Sequence, residues 1–171
     1  MKIIWRIFLG LLLVVVLGLL IPQNLKMPVQ GANNHSYNPN TFWYEPWSAG
    51  VHRGVDIFAK RGTPIYSATK GLVWATGNAK KGGKFVLVLG PKWRLHYYAH
   101  PDEITTKRFA WVDHLTQIGT VGNTGNAANT PAHLHYSICT PIPYPWRIDN
   151  ASYGYQKMFY LNPIDYLQES K

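Results

Sequence analysis

Gly71-Leu-Val-Trp-Ala-Thr76 and Lys84-Phe-Val-Leu-Val-Leu89, joined by Gly77-Asn-Ala-Lys-Lys-Gly-Gly83, decide the architecture of this chain. Each flank is a short run of aliphatic, β-branched and aromatic residues, and the joint is dense in Gly, Asn and Lys, so two strands meeting in a hairpin are the simplest reading. Beyond it, Pro91-Lys92 turns the chain into Arg94-Leu-His-Tyr-Tyr-Ala-His100. As a strand with a side-chain period of two, this places His96, Tyr98 and His100 on one face and Leu95, Tyr97 and Ala99 on the other.

From Val51 onward, short apolar runs are broken by Gly or Pro about every ten residues, the rhythm of a β-rich domain. Between Asp102 and His114 the pattern suggests a short helical or irregular piece. Gln117-Ile-Gly-Thr-Val121 and the turn-prone Gly122-Asn-Thr-Gly125 follow, and His133-Leu-His-Tyr-Ser-Ile138 reads as the last core strand. There is no internal repeat, no low-complexity tract and no sustained helical periodicity outside the N-terminus. The expected fold is mostly β, a β-sheet domain preceded by one N-terminal transmembrane helix.

That helix is read from Ile7 to Ile21, unbroken by charge and extended upstream by Ile3, Ile4 and Trp5 around Arg6. Ile3 to Ile21 makes a helix of roughly 28 Å, close to the hydrocarbon thickness of a bilayer. Lys2 and Arg6 in front put the N-terminus inside and the remaining domain outside. A cleaved signal peptide is the alternative, with Val29-Gln-Gly31 at suitable offsets; the length of the apolar stretch favours a retained anchor. From Pro22 to about Trp47 the chain loses periodicity and fills with Asn, Pro, Gly and Ser. The expected organisation is an anchor over residues 1–25, a linker or irregular lead-in over 26–47, and a folded domain over 48–171.

The chain of 171 residues is long enough for one globular domain with a core. Without Lys2, Arg6 and Lys26, fourteen basic residues remain against eight acidic ones, which favours a polyanionic partner such as nucleic acid, anionic lipid or a wall polymer. The charges form no stripe and the N-terminus directs the domain out of the cytoplasm, so nucleic acid is not expected as a partner. Cys139 is the only cysteine, which excludes an intrachain disulfide and a cysteine-based zinc site.

The chemistry concentrates in His52-Arg-Gly-Val-Asp56 and His133-Leu-His135. The two imidazoles of the latter would share a strand face about 6 to 7 Å apart at the backbone, so both reach one small site. Nitrogen and carboxylate ligands suit Zn²⁺ better than Mg²⁺ or Ca²⁺, although a two-histidine, one-carboxylate iron site uses the same groups. A catalytic zinc takes three protein ligands, and His52, Asp56, His133 and His135 are one too many. The set is therefore His52, Asp56 and one of the other pair. Nothing encodes HExxH, so proton transfer falls to a spare histidine beside metal-activated water.

These motifs resemble the lysostaphin-type zinc metalloendopeptidases, peptidoglycan endopeptidases with the duplicated-hybrid-motif fold. The resemblance covers about Val51 to Ile138 and includes His52-Arg-Gly-Val-Asp56-Ile, Gly62-Thr-Pro-Ile-Tyr-Ser-Ala with Gly71, Tyr98-Ala-His100, Gly119-Thr-Val-Gly-Asn-Thr-Gly125 and His133-Leu-His135, with a weaker echo at Leu161-Asn-Pro-Ile-Asp-Tyr-Leu167. It implies that His52, Asp56 and His135 bind one Zn²⁺ while His100 and His133 assist catalysis. It also implies a compact antiparallel β-sheet domain with a metal-containing groove that cuts stem-peptide cross-links of peptidoglycan; the N-terminal helix, read separately, tethers that domain to the membrane on its extracytoplasmic face. A non-enzymatic wall binder or hydrolase activator of the same fold is the alternative, and a regulatory envelope partner is left open. Pro101 after His100, where a leucine is usual, and the longer approach Asn126 to Ala132 depart from the pattern and would reshape the groove. His35, His96 and His114 match no role. Phe42-Trp-Tyr-Glu-Pro-Trp47 reads as packing, or else as a groove wall, and the lysines at 80, 81 and 84 as a solvated hairpin tip.

Overall fold

The computed structural model describes residues 2–45 and 50–167. In chain order it contains helix α1 (Lys2–Leu20), strands β1 (Val55–Phe58), β2 (Pro64–Tyr66), β3 (Gly71–Ala79), β4 (Gly83–Leu89), β5 (Leu95–Ala99), β6 (Glu103–Ile104), β7 (Trp111–Val112), β8 (Gln117–Thr120), β9 (His133–Cys139) and β10 (Tyr160–Leu161), and helix α2 (Pro163–Leu167). The mostly β, antiparallel character read from the sequence is what the chain adopts.

The hairpin at the centre forms as expected, with Leu72 opposite Leu89 and Ala79 opposite Gly83. Around it a seven-stranded antiparallel sheet runs β1-β9-β5-β4-β3-β7, with β10 also on β9. A smaller sheet, β2-β8-β6, accompanies it. One core gathers the inward residues of both: Val55, Ile57, Val73, Val86, Val88, Leu134, Tyr136 and Ile138 from the large sheet, Ile65 and Ile118 from the small one. The alternation of these residues with groove-facing ones is the period-two pattern of a sheet with one covered face.

Two expectations change. The stretch between Asp102 and His114 is not helical: Glu103–Ile104 pairs with β8, and Trp111–Val112 caps the edge of β3. Long-range pairing partners that a local reading does not see decide these short segments. β9 is not the last strand, since Tyr160 and Leu161 return to pair with Cys139 and Ile138. The segment after α1 has no regular structure, but it is packed: Leu25, Val29 and Tyr37 belong to the core, Val29 bridges to Ile65, and the Lys26 N–H donates to the Ala68 carbonyl.

Helix α1 is long and apolar enough to cross a membrane. Its Ile, Leu and Val side chains are largely exposed, the surface of a segment that suits secretion or anchoring.

Candidate metal centre

Three neighbouring strands build the site. β9 lies between β1 and β5, and the register sets Asp56 opposite His135 on one side and Ala99 opposite His135 on the other. On β9, the period of two sends His133, His135 and Ser137 into the groove and Leu134, Tyr136 and Ile138 into the core. His52 enters from the loop before β1. Gly54 makes this approach feasible: a Cβ there would lie 2.5 Å from the Tyr136 carbonyl and 2.8 Å from the His135 ring. The glycine within His52-Arg-Gly-Val-Asp56 is thus a requirement of close approach.

The ligand atoms converge. His52 Nε2 lies 3.2 Å from Asp56 Oδ1 and 3.0 Å from His135 Nδ1, and His135 Nδ1 lies 2.8 Å from Asp56 Oδ1. Ligands about 2.0–2.1 Å from a tetrahedral zinc stand roughly 3.3 Å from one another, so this triangle fits the ion with a shift of a few tenths of an ångström. Among the described residues, His52, Asp56 and His135 form the group able to hold a metal ion. His133 Nε2 stands farther off, 3.9 Å from Asp56 Oδ1. Geometry thereby separates the two halves of His133-Leu-His135, which spacing along the chain leaves equivalent.

Each imidazole is oriented by a backbone carbonyl or the carboxylate. His52 Nδ1 is 3.0 Å from the Thr41 carbonyl, directing Nε2 inward. His133 Nδ1–H donates to the Pro131 carbonyl at 2.8 Å, and His100 Nδ1–H donates to the Thr124 carbonyl at 2.8 Å. With those protons committed, Nε2 of both rings carries the lone pair. The rings of His100 and His133 are 5.1 Å apart. Burial lowers the His100 pKa to about 4 against the supporting Thr124 carbonyl, and the charges of His133 and His135 add to the lowering. Burial alone would raise the Asp56 carboxyl, but hydrogen bonds from His135 and His52 hold it well below the ordinary carboxylate range. Burial likewise lowers the proton affinity of His135. An ionised carboxylate beside converging imidazole nitrogens is the donor set a divalent cation takes.

One expectation about faces is corrected. His96, Tyr98 and His100 do not share a face: His96 and Tyr98 are buried in the core, while Tyr97 and Ala99 line the groove. His100 reaches the groove because it lies one residue past β5 and takes φ 69. That left-handed conformation, uncommon outside glycine, breaks the alternation and turns the ring round. Its N–H is received by the Gly82 and Lys84 carbonyls at 3.0 and 3.1 Å, so the hairpin tip stabilises the departure.

The groove has a volume of about 540 Å³. Asn126, Ala127, Thr130 and Pro131, from the long approach to β9, form one wall, with Tyr97 and Tyr160 elsewhere on the lining. Lys84 is no part of a solvated tip, since its Nζ donates to the Asp102 carbonyl. Phe42 and Trp43 act as packing: the Trp43 N–H donates to the His52 carbonyl at 2.7 Å and its indole to the Ser152 carbonyl at 3.0 Å. Pro46 and Trp47 of that cluster lie outside the described residues. His35 is exposed, His114 is partly exposed, and His96 is fully buried. The orienting carbonyls of Thr41, Thr124 and Pro131 went unread in the sequence, because a backbone acceptor leaves no residue-type signal.

The fold and site define an antiparallel β protein with a His/Asp/His metal-binding group on a groove floor. Residues 50–143 match Peptidase family M23, and the chain belongs to that family. It is 33% identical over 87 residues to the peptidoglycan DD-endopeptidase ShyA of Vibrio cholerae serotype O1, a match covering 51% of this chain and 20% of ShyA. It is 30% identical over 92 residues to the murein hydrolase activator NlpD of Escherichia coli K12, covering 53% of this chain and 24% of NlpD. The chain therefore spans a quarter or less of the length of these relatives. The catalytic domain of lysostaphin from Staphylococcus simulans shares the fold, with a TM-score of 0.59 at 23% identity over 74% of this chain and 90% of that domain.

Proposed function

We propose that this chain is a zinc metalloendopeptidase that hydrolyses peptide cross-links of bacterial peptidoglycan, held at the outer face of the cell membrane by α1 with its catalytic domain in residues 48–171. The observation that carries the reading is the convergence of His52 Nε2, Asp56 Oδ1 and His135 Nδ1 beside two further imidazoles, His100 and His133, whose Nε2 atoms carry lone pairs. Membership of Peptidase family M23 and similarity to a peptidoglycan endopeptidase supply the substrate class.

His52, Asp56 and His135 would hold the ion. Zinc, when bound, polarises a peptide carbonyl and lowers the pKa of water towards about 7. His133 Nε2 accepts the proton of the attacking water, since its Nδ1–H is committed to Pro131, and returns it to the leaving amine. His100, with Nδ1–H on Thr124, presents a second Nε2 acceptor that orients the attacking water or shares its proton. The Thr41 carbonyl fixes the ring of His52, the usual role of an outer partner to a ligating histidine. The walls formed by Asn126, Thr130, Tyr97 and Tyr160 orient an extended peptide across the floor.

Purified protein is expected to contain one zinc per chain and to open defined cross-linked muropeptides, read by mass spectrometry, which also identifies the bond. Absence of both metal and cleavage overturns the reading. A second reading, favoured by the similarity to NlpD, is a protein that activates another wall hydrolase. Under it, His133→Ala and His135→Ala variants restore a deletion strain's wall phenotype as fully as the unaltered chain; under the enzymatic reading neither does.

A further inference from the structure

Helix α1 is seated on the domain. The Trp93 indole N–H donates to the Val15 carbonyl at 2.9 Å, and Lys92 Nζ donates to the Leu19 carbonyl at 3.0 Å. The indole lies on Gly18, the one buried residue of α1, where any Cβ would collide with the ring. The turn that presents this pair holds Lys92 at φ 60 and Trp93 at φ 57, a conformation non-glycine residues adopt at a cost. Just after the helix, the Gln23 amide meets His96 Nε2 at 3.1 Å and receives the Arg94 guanidinium. Helix and sheet end are therefore tied together at successive residues.

We propose that this end of the domain, presenting Trp93, Lys92, Lys26, Lys70, Trp111 and Leu115, is a second membrane contact that rests on the headgroups of an anionic bilayer. The inference depends on α1 being retained as a transmembrane helix, as proposed above. In a helix that spans to Leu20, the Val15 carbonyl lies about 7 Å inside the helix end, which carries Trp93 to the depth favoured by interfacial indoles. Lys92 reaches the same level as a cation on a long apolar stem.

The strand register extends the contact sideways. Leu89, on the strand that leads into the Trp93 turn, pairs with Leu72, and Leu72 pairs with Trp111. Trp111 thus stands two strand spacings, about 10 Å, from that strand. Trp111 is 79% exposed and Leu115 is 84% exposed. Lys70 adjoins Gly71 in the same row, and Lys26 is joined to this region through Ala68. Burial lowers the proton affinity of His114, next to Leu115; the charges of both lysines add to this, against a backbone hydrogen bond at Ser67 and the Asp113 carboxylate. Bulky apolar tips interspersed with lysines, beside a helix already embedded in lipid, match an interfacial surface with an anionic partner. A bilayer is favoured over a protein partner because the surface is continuous with α1.

The orientation has a consequence for the metal group. Leu89, Leu95 and Cys139 share the membrane-side row, while Phe85, Ala99 and His135 share another four residues along. Four strand rises amount to about 13 Å, so the groove stands off the bilayer, on the side where wall polymer would lie.

The test uses the full chain with Cys139→Ser, nitroxide-labelled singly at Val14→Cys, Trp111→Cys, Leu115→Cys or Lys80→Cys, in nanodiscs containing phosphatidylglycerol. Collisional relaxation by oxygen is expected to dominate at 14, 111 and 115, and relaxation by a water-soluble nickel chelate at 80, the exposed hairpin tip. Water-like relaxation at 111 and 115 with lipid-like relaxation at 14 overturns the inference while the anchor stands, leaving the surface to a protein partner. Water-like relaxation at 14 as well removes the anchor itself. Lys70→Glu is expected to lower the oxygen response at 115 in phosphatidylglycerol discs and not in phosphatidylcholine discs; an equal effect in both overturns the anionic preference.

Discussion

His100 shows how one residue's backbone decides a role. Its φ of 69 and the two carbonyls that receive its N–H aim the ring at the groove, where regular alternation would have buried it. His133 and His100 both carry an Nε2 lone pair beside the triangle of His52, Asp56 and His135, whereas Asp56 belongs to the triangle itself. Replacement should separate these roles. His133→Ala is expected to keep its zinc, measured by elemental analysis, and lose about 10²- to 10⁴-fold in kcat on a cross-linked muropeptide. Asp56→Ala is expected to lose both zinc and activity, because two neutral imidazoles cannot complete the site. Retained zinc in Asp56→Ala would shift the carboxylate out of the ligand set.

At the scale of elements, the site depends on β1 and the loop before it lying flush against β9. Gly54→Ala would force a methyl group into the Tyr136 carbonyl and the His135 ring. The cost of such overpacking is typically about 1–3 kcal/mol, and here it also displaces the His135 ring from the group able to hold a metal ion. The expected outcome is a lowered Tm together with weaker zinc binding in a chelator competition. Leu134, fully buried between His133 and His135 on β9, supplies the contrast. Leu134→Ala is expected to cost about 2–5 kcal/mol in denaturant unfolding while leaving zinc stoichiometry unchanged under native conditions.

Across the whole molecule, a buried polar chain joins the stretch after α1 to the core. Gln23 reaches His96 Nε2, and His96 Nδ1 is 2.7 Å from the Tyr136 hydroxyl, whose ring packs 5.1 Å from that of Tyr98. Complete burial, aided by the Arg94 charge, lowers the His96 pKa to about 3. The unfolded chain binds this proton near pH 6.5 and the folded chain resists it, so the histidine favours unfolding as pH falls from about 6.5 towards 3. Between pH 7 and pH 5 the loss is about 2 kcal/mol. His96→Gln is expected to show that much less destabilisation over the interval in denaturant unfolding, with equal slopes counting against a neutral buried imidazole.

By itself, the sequence determined the β architecture, the hairpin of Gly71 to Leu89, the apolar N-terminal segment and the residue types of the metal group, because period-two patterning, turn chemistry and ligand chemistry are local properties. Tertiary structure decided which half of His133-Leu-His135 joins His52 and Asp56, since that depends on a register across β1 and β9. It also moved His100 off the face its neighbours occupy, brought Tyr160–Leu161 back to β9, and drew Leu25, Val29 and Tyr37 into the core. Each of these outcomes rests on partners distant in the chain, and pairing free energy between distant segments leaves little trace in either segment alone.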